Sequence, residues 1–207
     1  MTDSLRRQDS ATEVEIGKFL DREFYPTHVS KLVRYNDMEA QMSGIDVKFD
    51  YGNLSNMLVD EKVAARYVNK DIPTFAFEVN FLLHSKQIVD GWLFNKDKAT
   101  QYYLLGWIWA TKDKGFSADE ITKMDILILR RQSIIDMLSR NGLTQADALS
   151  ISQEIRNSRV PGVSHRSPRA PYYFYFSTQL AEEPINIIIK KSALINLAAG
   201  RHIITNK

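Results

Sequence analysis

The chain of 207 residues contains no cysteine and four scattered histidines, which limits the kinds of metal site that it can carry. The absence of cysteine excludes a disulfide framework and any site built on thiolates. The histidines are His28, His84, His165 and His202. Because their positions do not show the spacing typical of zinc ligands, a zinc site is not expected.

Long apolar runs and an excess of one charge sign are missing too. No apolar run of about 18 residues occurs, and the first ten residues, MTDSLRRQDS, lack the apolar segment typical of a signal peptide. The net charge is +2, so a contact with nucleic acid would depend on local clusters of basic residues. These features predict a soluble, cytoplasmic protein without a membrane partner.

Several enzyme classes lose support because their motifs do not occur. The sequence has no Gly-rich phosphate-binding loop, no Ser nucleophile elbow and no His-Glu-x-x-His helix. The composition, with 44% hydrophobic and 25% charged residues, is that of an ordinary globular protein. The chain is long enough for one domain with a sizeable core.

The most informative stretch is residues 41–62, QMSGIDVKFDYGNLSNMLVDEK, which reads as two short strands joined by a turn at residues 52–53. Alternation in the second strand places Asp60 and Lys62 on one face and Glu61 on the other. Antiparallel pairing would bring Asp46 of the first strand close to Asp60. The pattern therefore predicts two carboxylates and one ammonium in a single cluster.

Two converging carboxylates repel each other, and a hard divalent cation is the usual way to make such a pair favourable. Mg²⁺ is the first candidate, with Mn²⁺ as a substitute, because it binds few carboxylates together with waters and phosphate oxygens. Lys62 would then orient or help deprotonate a water, or stabilise charge in the transition state. The simpler alternative is a solvated salt-bridge pattern on an exposed strand.

The hexapeptide QMSGID at residues 41–46, followed by DEK at residues 60–62, resembles the PD-(D/E)XK signature of the restriction-endonuclease-like nucleases. The resemblance implies a core of one helix, three antiparallel strands, a second helix and a further strand. It also implies that Asp46 and Asp60 are the two acidic positions, that Lys62 is the lysine, and that the main-chain carbonyl of Glu61 faces the metal. Ile45 departs from the motif, which nominally has Pro at that position.

We therefore expect an α/β fold in which a mixed sheet is flanked by helices. Residues 1–110 would form the nuclease-like core, and residues 111–207 a C-terminal strand and helix extension packed on the same domain. The first helix would begin at Ala11 and end at Pro26, and the first strand would cover residues 31–36. Glu15 on that helix and Glu78 on a later strand are accessory candidates for the metal site.

Basic residues suggest where nucleic acid would bind. Residues 156–171 form a basic, acid-free segment rich in Pro, Ser and Arg, which predicts a loop suited to clamping a phosphate backbone or, alternatively, an ordinary disordered connector. A basic pair lies where a later strand is expected to end and a helix to begin, a position that suits phosphates. The candidate residues are Arg130, Arg131, Arg159, Arg166 and Arg169.

The leading interpretation is a Mg²⁺-dependent endonuclease that hydrolyses the phosphodiester bonds of nucleic acid, with DNA as the expected substrate. An alternative keeps the fold without catalysis, as a nucleic-acid-binding or protein-interaction module of a defence or repair system. A third is an interaction protein whose aromatic strand at residues 172–176, YYFYF, pairs with a partner. The sequence leaves open whether the protein forms a homodimer or needs a partner subunit.

Overall fold

The structure is a computed structural model that describes residues 2–35 and 37–206, without the side chains of residues 2–10 and 41. Asn36, expected to end the first strand, and the side chain of Gln41, at the start of the motif, therefore lie outside the described part. The helices are α1 (Thr2–Phe19), α2 (Tyr25–His28), α3 (Met38–Met42), α4 (Arg131–Arg140), α5 (Gln145–Ser158) and α6 (Lys191–Ile195). A π-helical segment, Leu20–Phe24, joins α1 to α2, and short 3-10 helices cover Ala65–Tyr67 and Ala118–Glu120.

The strands complete a mixed α/β fold, as the sequence predicted. They are β1 (Ser30–Arg34), β2 (Val47–Tyr51), β3 (Leu54–Val63), β4 (Thr74–Leu82), β5 (Ile88–Asp90), β6 (Tyr102–Ala110), β7 (Ile121–Arg130), β8 (Gly162–Ser164), β9 (Tyr172–Phe176), β10 (Ile185–Lys190) and β11 (Gly200–Thr205). The turn between β2 and β3 contains Gly52 at a φ of +56°, a conformation that favours glycine.

The described strands form two sheets. The larger is mixed and has the order β1-β2-β3-β6-β7-β11, in which β3 and β6 are parallel and the other neighbours are antiparallel. The smaller is antiparallel and has the order β5-β4-β10-β9-β8. Between β3 and β6 the chain forms a 3-10 turn and the strands β4 and β5, where the nuclease resemblance implies a helix.

The register of β3 positions the candidate site. Val59 of β3 pairs with Val47, the first residue of β2, and also with Tyr102, the first residue of β6. Beyond Val59, β3 continues past the start of β2 while it stays paired with β6 through Val63. Residues 60–62 therefore lie where the two antiparallel strands separate.

One face of the larger sheet carries a hydrophobic core against the first helix. Met57 and Val59 of β3 and Leu104 of β6 are buried in one cluster with Phe19 and Leu20. Because side chains alternate along a strand, residues of β3 at even positions, including Asp60 and Lys62, point to the other face. This core therefore determines which face of β3 carries the motif.

The chain divides into two compact units that do not follow the order of the sequence. The first comprises residues 1–72, 99–130 and 198–207, and the second residues 73–98 and 131–197. These bounds differ from the expected division at residue 110, because β4 pairs with the late strand β10, whereas β7 and β11 belong to the sheet of β6.

The first helix is longer than the sequence suggested. It begins at Thr2, before the expected start at Ala11, and helical structure continues past Pro26 to His28. Pro26 lies in the first turn of α2, where a missing backbone N–H is tolerated. No helix within residues 2–35 and 37–206 is long and apolar enough to cross a membrane.

Candidate active site

Asp46 is the first member of the candidate site and lies one residue before β2. Its backbone N–H donates to the Val59 carbonyl at 3.0 Å, and its carbonyl accepts from the Tyr35 N–H at 2.8 Å, so its main chain is held on both sides. Gly44, two residues earlier, has a φ of +70° and accepts a hydrogen bond from Thr100 Oγ1 at 2.5 Å. Glycine is suited to that conformation, which turns the chain into the site.

Asp60 and Lys62 lie on the same face of β3, as alternation predicts. Asp60 is 3% exposed, and Lys62 Nζ donates to Asp60 Oδ1 at 2.5 Å. The Asp46 carboxyl group is a neighbour of the Asp60 carboxyl group and contributes to its raised pKa. The structure therefore brings together the three residues that the motif singled out.

The electrostatics of the cluster follow from burial and from like charge. The pKa of Asp60 rises from 3.8 to about 7, chiefly because the group is buried; the Asp46 carboxylate adds to the rise, and the Lys62 ammonium opposes it. For Lys62, burial disfavours the charged form, but Asp60 and Asp46 raise its pKa above the ordinary value. Lys62 is therefore an ammonium at neutral pH.

Glu61 contributes its backbone to the site and not its side chain. Its carboxylate accepts hydrogen bonds from the Tyr25 hydroxyl and from Arg34, on the face opposite Asp60, as alternation predicts. Its backbone N–H donates to Asp46 Oδ2 at 2.7 Å. Because the N–H and C=O of one strand residue point to the same neighbouring strand, the Glu61 carbonyl is directed to the side of Asp46.

One of the two accessory acids, Glu15, is engaged elsewhere in the first unit. Glu15 accepts hydrogen bonds from Lys18 Nζ at 2.7 Å and from the Ala118 N–H at 2.8 Å, so its carboxylate has other partners. Glu78 lies on β4, in the second unit. The acid of α1 that does contribute to the raised pKa of Lys62 is Glu13, which the sequence pattern did not single out.

Two of the candidate basic residues are engaged within the protein. Arg131 donates to the carbonyls of residues 93, 95 and 98 at 2.9, 2.6 and 3.1 Å, which fixes a loop of the second unit. Arg159 binds both carboxylate oxygens of Glu183 at 2.5 and 3.0 Å. By contrast, the side chains of Arg130, Arg166 and Arg169 are exposed.

The expected basic loop also contains regular structure. The strand β8 pairs with β9 at the edge of the smaller sheet. Arg166, which follows β8, has its guanidinium 5.6 Å from the centre of the Tyr173 ring. Backbone pairing with β9 gives this segment a defined place in the second unit, so the expectation of a structureless connector is wrong for the residues of β8.

The site offers two carboxylates and one main-chain carbonyl to a cation. No group of three or more His, Asp or Glu residues placed to hold a metal ion occurs in residues 2–35 and 37–206. Mg²⁺ accepts such a small protein contribution, since it commonly binds one or two carboxylates and keeps waters or substrate phosphates as its other ligands. The donor set of Asp46, Asp60 and the Glu61 carbonyl therefore fits a hard divalent cation.

Comparison with known protein families, curated proteins and solved structures found no match for this chain. The PD-(D/E)XK resemblance therefore stays a prediction, based on the motif residues and their geometry.

Proposed function

We propose that this protein is a metal-dependent nuclease that hydrolyses phosphodiester bonds of nucleic acid at Asp46, Asp60 and Lys62. The observation that supports this most strongly is the meeting of two carboxyl groups, one of them buried, beside an ammonium at the point where β2 and β3 separate. A structural ion pair needs one carboxylate for one ammonium, whereas this cluster has an additional acid.

A divalent cation would explain the additional acid. With a pKa of about 7, Asp60 is partly protonated near neutral pH, because burial disfavours its charged form and a proton reduces the repulsion between the two carboxylates. A cation such as Mg²⁺ or Mn²⁺ would replace this proton and neutralise both groups. Asp46, Asp60 and the Glu61 carbonyl would be its protein ligands.

The proposed reaction is hydrolysis. A water oxygen forms a bond to phosphorus, one P–O ester bond breaks, the water proton passes to solvent, and the leaving oxygen takes up a proton. A bound cation would supply the positive charge that polarises the phosphodiester. Because its pKa is raised, Lys62 is better suited to stabilise negative charge on a phosphate oxygen than to accept a proton from water.

Nucleic acid is proposed as the substrate because exposed arginines accompany the site in this chain. Arg130, Arg166 and Arg169 are exposed and can contact phosphates, which provide much of the affinity of proteins for nucleic acid. Arginine is also well suited to bind a phosphate through two hydrogen bonds. DNA is the proposed form of the substrate.

The proposal is tested by nicking of plasmid DNA with Mg²⁺ or Mn²⁺, together with calorimetric titration of the same cations. We expect the wild-type protein to bind and to cleave. Asp46→Ala should abolish cleavage and greatly weaken binding, because the site loses one of its hard ligands. Glu15→Ala is the matched control, since its carboxylate binds Lys18 and Ala118, and should retain both activities. A wild-type protein that binds no divalent cation would refute the proposal.

A second candidate is a nucleic-acid-binding or interaction module without catalysis. It is favoured by the short ion pair between Lys62 Nζ and Asp60 Oδ1, 2.5 Å, which already compensates the buried carboxylate from within the chain. The same assays separate the two candidates. Binding of DNA with neither cation binding nor cleavage would support this second function.

A further inference from the structure

The face of β3 behind the candidate site carries a second charged cluster. The Glu61 side chain is 12% exposed and lies between Tyr25 and Arg34. The Tyr25 hydroxyl donates to Glu61 Oε1, and the two terminal nitrogens of Arg34 donate to the two carboxylate oxygens at 2.8 and 3.1 Å. Each Glu61 oxygen therefore has a partner, and the carboxylate is held at a fixed place.

This cluster joins three elements of the first unit. Arg34 ends β1 and also donates to Asp21 of the π-helical segment, at 2.7 Å for the shortest contact. Tyr25 begins α2 and is 1% exposed. The Arg34 guanidinium lies 5.7 Å from the centre of the Tyr25 ring. A buried tyrosine hydroxyl needs a hydrogen-bond partner, and Glu61 supplies it.

The π-helical segment places two of these groups. Residues 20–24 form wider turns than an α-helix, and the Tyr25 N–H donates to the Leu20 carbonyl five residues earlier. Asp21 of this segment and Tyr25, which follows it directly, both reach Arg34. Such π-helical insertions are frequent at functional sites.

The backbone of Glu61 connects this cluster to the candidate site. Its N–H donates to Asp46 Oδ2 at 2.7 Å, and its carbonyl is directed to the same side. A shift of the Glu61 main chain would therefore move the group that orients Asp46 and the third ligand of the proposed cation together.

We infer that Tyr25 and Arg34 are positioning residues: by holding the Glu61 side chain on one face of β3, they set the Glu61 backbone that orients Asp46 on the other. The effect of these residues on cation binding rests on the proposed function. Their effect on the orientation of Asp46 is a property of the metal-free protein. Partners of this kind commonly change metal affinity or activity by about 10- to 100-fold.

The first measurement is hydrogen exchange of the Glu61 amide in metal-free protein, read by NMR against amides of β7. Tyr25→Phe keeps the ring and removes the hydroxyl, so we expect Glu61 exchange to become at least about tenfold faster while the β7 amides keep their rates. Tyr51→Phe is the matched control. It removes another tyrosine hydroxyl of the same unit, one bonded to His202 Nε2 at 2.9 Å, and should leave Glu61 unchanged.

The second measurement is the Kd for Mn²⁺ by calorimetry, which should weaken about tenfold in Tyr25→Phe and not in Tyr51→Phe. Arg34→Lys provides a second variant if Tyr25→Phe does not fold. Unchanged Glu61 exchange in a folded variant would overturn the inference. If Glu61 exchange is faster in Tyr25→Phe but the wild-type protein binds no Mn²⁺, the positioning of Asp46 is supported and only the nuclease proposal is refuted.

Discussion

Asp60 in the first unit and Arg156 in the second are both buried charged residues, with 3% and 7% exposure, and each has a partner of opposite charge and a neighbour of like charge. Asp60 faces Asp46, a group of the same sign, in addition to its ammonium partner. Arg156 Nη2 donates to Asn80 Oδ1 at 2.6 Å and to the Glu183 carbonyl at 3.1 Å, and the Glu183 carboxylate lies 3.9 Å from Nη1.

The difference shows which buried charge points to a ligand. Burial lowers the pKa of Arg156, Glu183 opposes this shift and Arg159 adds to it, but the Arg159 side chain is 58% exposed, so water screens its charge. Two Arg156 nitrogens, Nε and Nη1, have no hydrogen-bond partner in the described part of the chain, yet each has less than 1 Å² exposed. At Asp60 the like-charged neighbour, Asp46, is only partly exposed, so a cation can offset the excess of negative charge. An excess of like charge that water does not screen, more than burial itself, therefore supports a binding site.

The largest expected effect distinguishes the role of the Lys62 ammonium from that of the Asp46 and Asp60 carboxylates. Lys62→Ala should lower the rate of DNA cleavage by about 10² to 10⁴, because charge that develops in the transition state loses a partner. Cation affinity should be kept or increased, since a like charge is removed. Single-turnover kinetics and calorimetry measure the two quantities. Lys18→Ala, which removes an exposed ammonium paired with Glu15, is the control. Equal rates for Lys62→Ala and the wild type would contradict the role of Lys62.

The second prediction tests the cluster of Arg156, Arg159 and Glu183. Arg156→Ala should lower the free energy of unfolding by about 3 kcal/mol, because it leaves buried partners without their donor. Arg159→Ala removes an arginine that is exposed although it binds the same Glu183, so its effect should be much smaller. Urea denaturation measures both. If Arg159→Ala lowers the free energy of unfolding as much as Arg156→Ala does, this account of the second unit is contradicted.

The third prediction concerns pH. Because the pKa of Asp60 rises from 3.8 unfolded to about 7 folded, the folded protein binds the proton more tightly, and its stability should fall as pH rises through this window. The slope from this group is at most about 1.4 kcal/mol per pH unit. Asp60→Asn should remove this part of the slope in urea denaturation with EDTA.

A carboxylate with the opposite shift gives the control for that experiment. Hydrogen bonds from Lys31 and from the Asn56 N–H lower the pKa of Asp50, so its contribution to stability is present above the ordinary pKa and is lost as pH falls. Asp50→Asn should therefore reduce stability at neutral pH, where Asp60→Asn should increase it. Effects of the same sign would contradict the assigned environment of Asp60.

Local periodicity predicted the arrangement of the candidate site well. Alternation along a single strand was enough to place Asp60 with Lys62 and to turn Glu61 away, because side-chain direction in a strand depends on neighbouring residues alone. Local sequence also sets the start of α5, where Thr144 and Asp147 form a capping box.

Local patterns in the sequence could not predict which strands pair when they are far apart along the chain. The units mix early and late segments because β4 pairs with β10 and β3 pairs with β6 across an intervening chain. The placement of Glu15 shows a related difficulty. Val14, one residue before Glu15, is 54% exposed, and which acid of α1 lies near Lys62 depends on how the helix packs.

The smallest expected effect concerns the exposed arginines of the second unit. Arg166→Ala and Arg169→Ala should each weaken binding of a labelled DNA duplex in EDTA and reduce the slope of log K against log salt by about one for each phosphate that the variant no longer binds. Arg159→Ala is the matched control, because its guanidinium already binds Glu183 and should release few counterions. Fluorescence anisotropy at several salt concentrations measures the slopes. If the slopes of Arg166→Ala and Arg169→Ala equal that of the wild type, the segment after β8 does not bind the DNA backbone, and exposed arginines there are ordinary surface charges.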